Sequence, residues 1–165
     1  MRNSIIFMMG LLLGSAISTA LAQGNRLVGT SGVNHVAMSV DNFGEALDFY
    51  TQKMGFREVL NMRNDQGQPT LAFVQAGRDT FLELAPANAN RPVGLTHFGL
   101  LVDDINGSVA VLKQRGLTVT DPRSVGEQWM VANVTAPGGM RIELTQLGPD
   151  SVPMKATASW AQQAK

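Results

Sequence analysis

Cysteine is absent from this chain of 165 residues, and its absence excludes several kinds of site at once. Disulfide bridges, thiolate metal ligands and thiol nucleophiles cannot form. Any bound metal ion must therefore be held by nitrogen and oxygen atoms, supplied by histidine and carboxylate side chains. A chain without thiols also suits an oxidising compartment.

The chain also lacks an excess of charge of either sign, since 13 lysine and arginine residues balance 13 aspartate and glutamate residues. Proteins that bind the phosphate backbone of nucleic acids carry a basic excess. We therefore expect a small-molecule substrate as the partner and no nucleic acid.

A hydrophobic run long enough to span a membrane is missing as well. The apolar stretch from Ile5 to Leu13 follows Arg2 and precedes small residues that end in Ala20-Leu21-Ala22, the pattern of a signal-peptidase site. A bilayer span needs ~20 apolar residues, so a membrane anchor is the weaker alternative. We expect residues 1–22 to be a signal peptide that is cleaved after Ala22. The mature protein would then be exported, to the periplasm or the medium, without stable insertion in the membrane.

The rest of the chain has an ordinary size for one globular domain. We predict that this domain covers residues 23–147. The last residues, 148–165, are rich in alanine, serine, glutamine and proline, and this composition predicts a flexible C-terminal tail.

Within the predicted domain, the pattern of one strand, one helix and three strands occurs twice. Alternating apolar residues predict the strands, and apolar residues at helical spacing before a glycine predict the helices. The first copy, about residues 32–86, gives a strand over 33–40, a helix over 43–54 and strands over 56–62, 70–75 and 80–85. The second copy, about residues 94–147, gives a strand over 95–102, a helix over 105–115 and strands over 117–120, 128–134 and 140–146. This repeat predicts an α+β fold in which two tandem βαβββ modules form a curved mixed sheet around a metal-containing cleft.

The two histidines of the chain occupy matching positions in the two copies, and so do two glutamates. His35 and His97 lie in the first strand of each copy, and Glu83 and Glu143 lie in the last. Small residues two positions away leave room on the same face of each strand. If the two sheets join, all four side chains converge in one cleft. We predict that they bind one metal ion.

A structural role for these residues is the competing interpretation. A single glutamate in an apolar strand can lie on a solvated face, and a buried histidine is most often a structural residue. Chance would have to place both pairs at matching positions, so the metal site is favoured. Two imidazoles and two carboxylates suit one divalent ion of Zn, Ni, Co, Mn or Fe, and the sequence does not choose among them.

With these residues, the chain resembles the vicinal oxygen chelate superfamily over most of Gly32 to Leu147. The resemblance also depends on the helix segment Asp48-Phe49-Tyr50, the strand Leu71-Ala72-Phe73-Val74 and the turn Ala136-Pro137-Gly138-Gly139. The superfamily includes glyoxalase I, methylmalonyl-CoA epimerase, extradiol dioxygenases and bleomycin- and fosfomycin-resistance proteins. In ligand pattern the chain is most similar to glyoxalase I, with its His/Glu/His/Glu set, and then to the epimerase, which usually has glutamine at the second place.

The resemblance implies that His35, Glu83, His97 and Glu143 are the metal ligands of a glyoxalase-like lyase or isomerase. It implies proton transfer on a small hydroxy-carbonyl substrate, with Glu143 as the base and Glu83 as its partner on the opposite face. Glyoxalase I often has an arginine four residues after its first histidine to bind glutathione, whereas this chain has Ser39. Together with export, this difference favours a substrate other than a glutathione or CoA thioester.

Two other functions stay open at this point. A non-catalytic small-molecule or antibiotic-binding protein is the main alternative, although such resistance proteins often lose the ligands that are kept here. An Fe(II) extradiol-type dioxygenase is the second alternative, although a fourth ligand at Glu83 argues against its two-histidine, one-carboxylate site. The cleft can be completed within one chain or across a homodimer.

Three residues near the second glutamate carry weaker signals. Trp129 and Met130 can form a wall of the cleft, but aromatic residues on such a strand more often belong to the core. Arg141 lies two residues before Glu143 and therefore shares its face. It can bind a substrate anion or simply pair with a nearby carboxylate.

Overall fold

In the computed structural model, the described residues are 27, 29–30 and 32–160. The predicted signal peptide, residues 1–22, lies outside them. Within the described part of the chain, no helix is both long and apolar enough to span a bilayer.

The strands and helices follow the predicted order of two βαβββ modules, with one further helix at the end. A π-helical segment, Phe49–Lys53, continues the first helix. In chain order the elements are β1 (Gly32–Val40), α1 (Phe43–Asp48), β2 (Arg57–Arg63), β3 (Pro69–Gly77), β4 (Thr80–Pro86), β5 (Gly94–Leu101), α2 (Ile105–Gln114), β6 (Arg123–Gly126), β7 (Trp129–Thr135), β8 (Arg141–Leu147) and α3 (Val152–Ser159).

All eight strands form one mixed sheet in the order β2-β3-β4-β1-β5-β8-β7-β6. Within each module the first and last strands pair in parallel, β1 with β4 and β5 with β8. The modules join through the antiparallel pair β1 and β5, which lies at the centre of the sheet. The sheet curls into a half-barrel, so the predicted α+β fold with two tandem modules and a curved mixed sheet is confirmed.

Helices α1 and α2 cover one face of the sheet. Phe43 of α1 packs with apolar residues of β3 and β4, and Ile105, Val109 and Leu112 of α2 pack with residues of β7 and β8. Burial of these apolar side chains against the sheet is favourable and holds each helix on its own module. The opposite face, which we call the inner face, stays free for the predicted site.

One end of the inner face is filled by an apolar cluster that includes α3. Phe73, Phe81, Trp129 and Val131 pack there against Ala156 of α3, which is 5% exposed. The Arg57 guanidinium also donates to the Ala156 carbonyl at 3.2 Å and to the Ser159 hydroxyl at 3.2 Å. The helix therefore closes this end of the half-barrel.

The sequence-based expectation of a flexible tail over 148–165 is wrong for Val152–Ser159, which form α3. A short helix of this kind is stabilised by the surface it covers more than by its own sequence, so composition alone does not reveal it. Residues 161–165 lie outside the described part of the chain.

The predicted strand over 117–120 is also wrong. Of that segment, Val119 forms an isolated bridge to Val134, and the strand β6 begins only at Arg123. Pro122 lies between them and has no N–H to donate to the neighbouring strand. Pairing with β7 resumes after the proline with a shift of one residue, since Arg123 lies opposite Val131.

Candidate metal centre

The four predicted ligands lie on four adjacent strands of one chain, β4, β1, β5 and β8. His35 of β1 lies opposite Gly99 of β5, and His97 of β5 lies opposite Ala37 of β1. On the next strand outward from β1, Glu83 of β4 lies opposite Ala37. On the next strand outward from β5, Glu143 of β8 lies opposite Gly99. The central ladders of the sheet therefore bring all four side chains to one place, without a second chain.

The two imidazoles are in contact, and each has a carboxylate beside it. His35 Nε2 lies 3.2 Å from His97 Nε2. Glu143 Oε1 is 3.6 Å from His35 Nε2, and Glu83 Oε2 is 3.9 Å from His97 Nε2. His35, Glu83 and His97 form the tightest group, with ligand atoms that all lie within 4.8 Å of one another.

Gly99 makes the position of the His35 ring possible. A Cβ atom at residue 99 would lie 2.1 Å from His35 Cε1 and 2.7 Å from His35 Nε2. Real Cβ atoms do not approach other heavy atoms so closely. The glycine is therefore needed for steric reasons.

Both histidines are neutral near pH 7. Burial, followed by the charge of Arg141, lowers the pKa of His35 to about 4. Burial, then Arg141 and then His35, lowers the pKa of His97 to about 3. A neutral imidazole has one nitrogen lone pair free to bind a metal ion.

The two carboxylates show the opposite shift. Burial and then the charge of Glu143 raise the pKa of Glu83 to about 7, against the opposing effect of Arg141 and Arg91. Burial also raises the pKa of Glu143, while Arg141 and Arg123 oppose the shift. A cation bound near these two carboxylates would stabilise their charged form.

Asn34 orients the ring of His35, and the sequence analysis did not identify it. Its side-chain nitrogen donates to the Asp79 carbonyl at 3.3 Å, which leaves its oxygen facing His35 Nδ1 at 3.2 Å. The oxygen can only accept, so His35 carries its proton on Nδ1 and has its free lone pair on Nε2. This is the tautomer that a metal ligand needs at Nε2.

His97 has two partners at Nδ1 that require different tautomers. Arg141 Nη2 contacts Nδ1, and a guanidinium can only donate. The Thr96 hydroxyl lies 3.2 Å from the same atom and donates to the Ala37 carbonyl at 3.1 Å, so its oxygen can accept a proton from Nδ1. The contact with Thr96 is the one compatible with a free lone pair on His97 Nε2.

The geometry of the imidazoles fits a metal ion. Two nitrogens that bind one ion at ~2.1 Å lie ~3.0–3.4 Å apart in octahedral or tetrahedral geometry. The separation of His35 Nε2 and His97 Nε2, 3.2 Å, falls within this range. Two neutral nitrogens and two carboxylate oxygens also match the charge and ligand preference of a divalent ion.

Three of the four residues, His97, Glu83 and Glu143, line a cleft of about 330 Å³ on the inner face, while His35 is fully buried beside His97. Trp129 lines this cleft, as one of its two predicted roles requires. Met130 does not line it and packs instead against the apolar cluster under α2. Arg141 lines it too, and so do two arginines that the sequence analysis did not identify, Arg91 and Arg123. Four apolar side chains also line the cleft, those of Leu60, Met62, Leu71 and Val125.

Comparisons with known proteins agree with this architecture. Residues 32–144 match the Glyoxalase/Bleomycin resistance protein/Dioxygenase superfamily. A protein of Vibrio cholerae called a probable lactoylglutathione lyase is 31% identical over 121 residues, which are 68% of this chain and 88% of that protein. A chloroplastic probable lactoylglutathione lyase of Arabidopsis thaliana is 27% identical over 129 residues, and the match spans 73% of this chain but only 37% of that protein.

Solved structures show the same fold. A methylmalonyl-CoA epimerase from Mycobacterium tuberculosis superimposes with a TM-score of 0.63 at 22% identity, covering 75% of this chain and 93% of that one. A second methylmalonyl-CoA epimerase structure gives a TM-score of 0.57 at 26% identity, covering 70% of this chain and 94% of that one.

Proposed function

The chain belongs to the Glyoxalase/Bleomycin resistance protein/Dioxygenase superfamily, and on this premise we propose that it is a divalent-metal-dependent isomerase or lyase. Its substrate is a small hydroxy-carbonyl compound on which it transfers a proton. The observation that carries the proposal is the pair of neutral imidazoles, with Nε2 atoms 3.2 Å apart, the buried Glu143 beside one ring and the partly buried Glu83 beside the other. The names of the relatives, a lyase and an epimerase, support proton-transfer chemistry.

His35, His97, Glu83 and Glu143 are the residues that hold the metal in this proposal. A bound divalent ion supplies a Lewis acid, which stabilises negative charge on an oxygen of the substrate. The protein contributes the fixed position of the two imidazoles, set by the central strands and by the hydrogen bond from His35 Nδ1 to Asn34. Burial of both rings keeps water from replacing these ligands.

The two glutamates are the groups that move the proton. They reach the imidazole pair from opposite sides, Glu143 beside His35 and Glu83 beside His97. A proton can therefore be taken on one face of the substrate by Glu143 and returned on the other by Glu83. In the metal-free protein burial raises the pKa of both carboxyl groups, so each accepts a proton more readily than an exposed glutamate does.

The cleft is small for a whole glutathione or CoA thioester. Its volume of about 330 Å³ lies at the lower end of the range for ligand pockets. Ser39, at the place where a glutathione-binding arginine is often found, contacts the Pro92 carbonyl and offers no positive charge. We therefore propose a compact substrate.

The first experiment is elemental analysis of the purified mature protein, with His35→Ala and His97→Ala beside the wild type. About one equivalent of Ni, Zn, Co or Mn, lost in both variants, is the expected result. Fe(II) in the wild type would instead favour the dioxygenase chemistry. Absence of metal after reconstitution with each of these ions would refute the proposed site and leave a non-catalytic binding protein.

The second experiment tests proton transfer itself. The metal-loaded protein is incubated in deuterated water with a panel of small hydroxy-carbonyl compounds, and exchange of the carbon-bound hydrogen is followed by NMR. Glu143→Gln should remove exchange while the fold persists, whereas Glu58→Gln, an exposed carboxylate on β2, should leave exchange unchanged. Full exchange in Glu143→Gln would exclude that residue as the base.

We also propose that the protein acts outside the cytoplasm, after removal of residues 1–22. The support is the N-terminal sequence, with its apolar run and the Ala20-Leu21-Ala22 pattern. The intact mass and N-terminal sequence of protein from the periplasmic fraction test this proposal. A mature chain that begins at Gln23 is expected, and an uncleaved chain in the cytoplasm would contradict it.

A further inference from the structure

The cleft contains more positive than negative side chains. Three arginines line it, Arg91 from the segment between the modules, Arg123 from β6 and Arg141 from β8. Against them stand the carboxylates of Glu83 and Glu143, while the two histidines are neutral near pH 7. The cleft thus has a surplus of one positive charge before a metal ion adds more.

None of the three arginines forms an ion pair within 4.0 Å of a carboxylate in the described part of the chain. Arg91 is held by a hydrogen bond from its Nη2 to the Pro86 carbonyl at 2.8 Å. Its Nε is buried and has no hydrogen-bond partner among the described residues. A buried donor of this kind costs free energy unless a ligand or water accepts from it.

Trp129 provides a second donor without a partner in the same wall. Its side chain is 8% exposed, and its indole Nε1 is buried with no acceptor among the described residues. The ring is held edge-on to Phe73, with centroids 5.1 Å apart. Two residues that line the cleft, from two different elements, thus each have a buried N–H group without a partner among the described residues.

Arg141 becomes available to a ligand when His97 serves as a metal ligand. With the lone pair on Nε2, the proton of His97 lies on Nδ1 and can be accepted by the Thr96 hydroxyl, 3.2 Å away. Nδ1 then no longer accepts from Arg141. In the metal-free protein too, the exposed Arg141 side chain lines the cleft, and only its Nη2 contacts His97.

From these observations we propose that Arg91, Arg123, Arg141 and the Trp129 indole form an anion-binding subsite beside the imidazole pair. The substrate is accordingly a small acid, with a carboxylate or phosphate group at this subsite and its vicinal oxygens at the imidazole pair. The apolar residues that line the cleft, Leu60, Met62, Leu71 and Val125, contact a short hydrocarbon part of the same molecule. The subsite itself does not depend on catalysis, although the place of the reacting oxygens rests on the proposed function.

The test uses the metal-free mature protein, so that anion binding is measured apart from metal chemistry. Malonate and inorganic phosphate are titrated separately, with malonamide as the neutral analogue, and the Trp129 indole N–H is followed by NMR. Its resonance is assigned by its loss in Trp129→Phe. We expect one or both anions to shift this resonance in a saturable way and malonamide to leave it in place.

Arginine variants show whether the binding is at the subsite. Arg91→Gln and Arg123→Gln should each weaken binding by about tenfold, because a charge-assisted hydrogen bond is lost. Arg78→Gln is the matched control, since Arg78 is exposed and paired with Asp79 outside this cleft. Equal binding of malonate and malonamide, no saturable shift with either anion, or the same affinity in all three variants would overturn the proposal.

The two anions distinguish the acid group, and metal binding is scored separately. Tighter binding of phosphate than of malonate assigns a phosphorylated substrate, and the reverse assigns a carboxylate. A protein that binds the anion but takes up no metal would refute the proposed function and keep the subsite. A protein that takes up metal but not the anion would do the reverse.

Discussion

The substitution Gly99→Ala tests whether the central strands hold the histidine pair as tightly as the geometry implies. The new methyl carbon would lie 2.1 Å from His35 Cε1 and 2.3 Å from His35 Nδ1. Strand β5 cannot retreat, because it pairs with β1 on one side and with β8 on the other. The His35 ring must therefore rotate away or the strands must separate.

The expected cost follows from the physics of overfilled cores. Inserting one methyl group into a packed site usually costs about 1–3 kcal/mol of unfolding free energy. A rotated His35 also loses its hydrogen bond to Asn34 and its place beside His97, so metal affinity should fall by about 10–100-fold. Denaturant unfolding of the metal-free protein measures the first quantity, and competition with a chelator measures the second.

Two further variants make the result specific to the His35 contact. Gly44→Ala is the matched control, since a Cβ there would meet only Asn42 Oδ1 at 3.8 Å, and it should keep wild-type metal affinity. In a His35→Ala background the same Gly99→Ala change should cost little, because the clashing ring is gone. An unchanged metal affinity and stability in Gly99→Ala, or an equal cost in both backgrounds, would refute the reasoning.

Three other changes have definite expected outcomes. Asn34→Ala should weaken metal binding by about 10–100-fold, because His35 loses the acceptor that selects its tautomer. Circular dichroism should show little loss of secondary structure. Wild-type metal affinity in this variant would show that Asn34 is not needed to orient the ring. Metal affinity should fall by about tenfold for each pH unit below 7, because binding displaces a proton from Glu83, whose pKa in the metal-free protein is about 7, while the histidines stay neutral down to about pH 4. Calorimetry in buffers of different ionisation enthalpy measures this proton release, and a pH-independent affinity between pH 5 and pH 7 would contradict the shift. Truncation after Gly148 removes α3 and should lower the unfolding free energy by about 2 kcal/mol or more, since the Phe73 and Phe81 cluster is exposed and Arg57 loses two hydrogen bonds; an unchanged thermal midpoint would show that α3 contributes nothing.

The fold was predictable because its signals are repeated. Each module presents its strands and helix in the same order, and the two histidines stand at matching positions, so one copy supports the interpretation of the other. The strand order then follows from parallel pairing within each module and one antiparallel pair between them. The symmetry placed the four candidate ligands on the first and last strands of the modules, and the structure shows that these four strands are neighbours in the sheet.

The rest of the cleft was not predictable, because it breaks the symmetry. Arg91 lies between the modules and has no counterpart in the repeat, and Arg123 lines the cleft although the arginines of the matching edge strand β2, Arg57 and Arg63, do not. Asn34 acts through a hydrogen bond to the neighbouring residue, which no spacing rule detects. Its one sequence signal is its position immediately before the first histidine.

The pairing of β1 with β5 constrains how the two halves of such a protein can evolve. Each half of the chain contributes one histidine and one glutamate, so neither half holds a complete set of ligands. The His35 ring contacts residues of both halves, Asn34 in its own half and Gly99 in the other. The two copies are therefore free to diverge in their loops and edges, while the residues at their common border must change together or not at all.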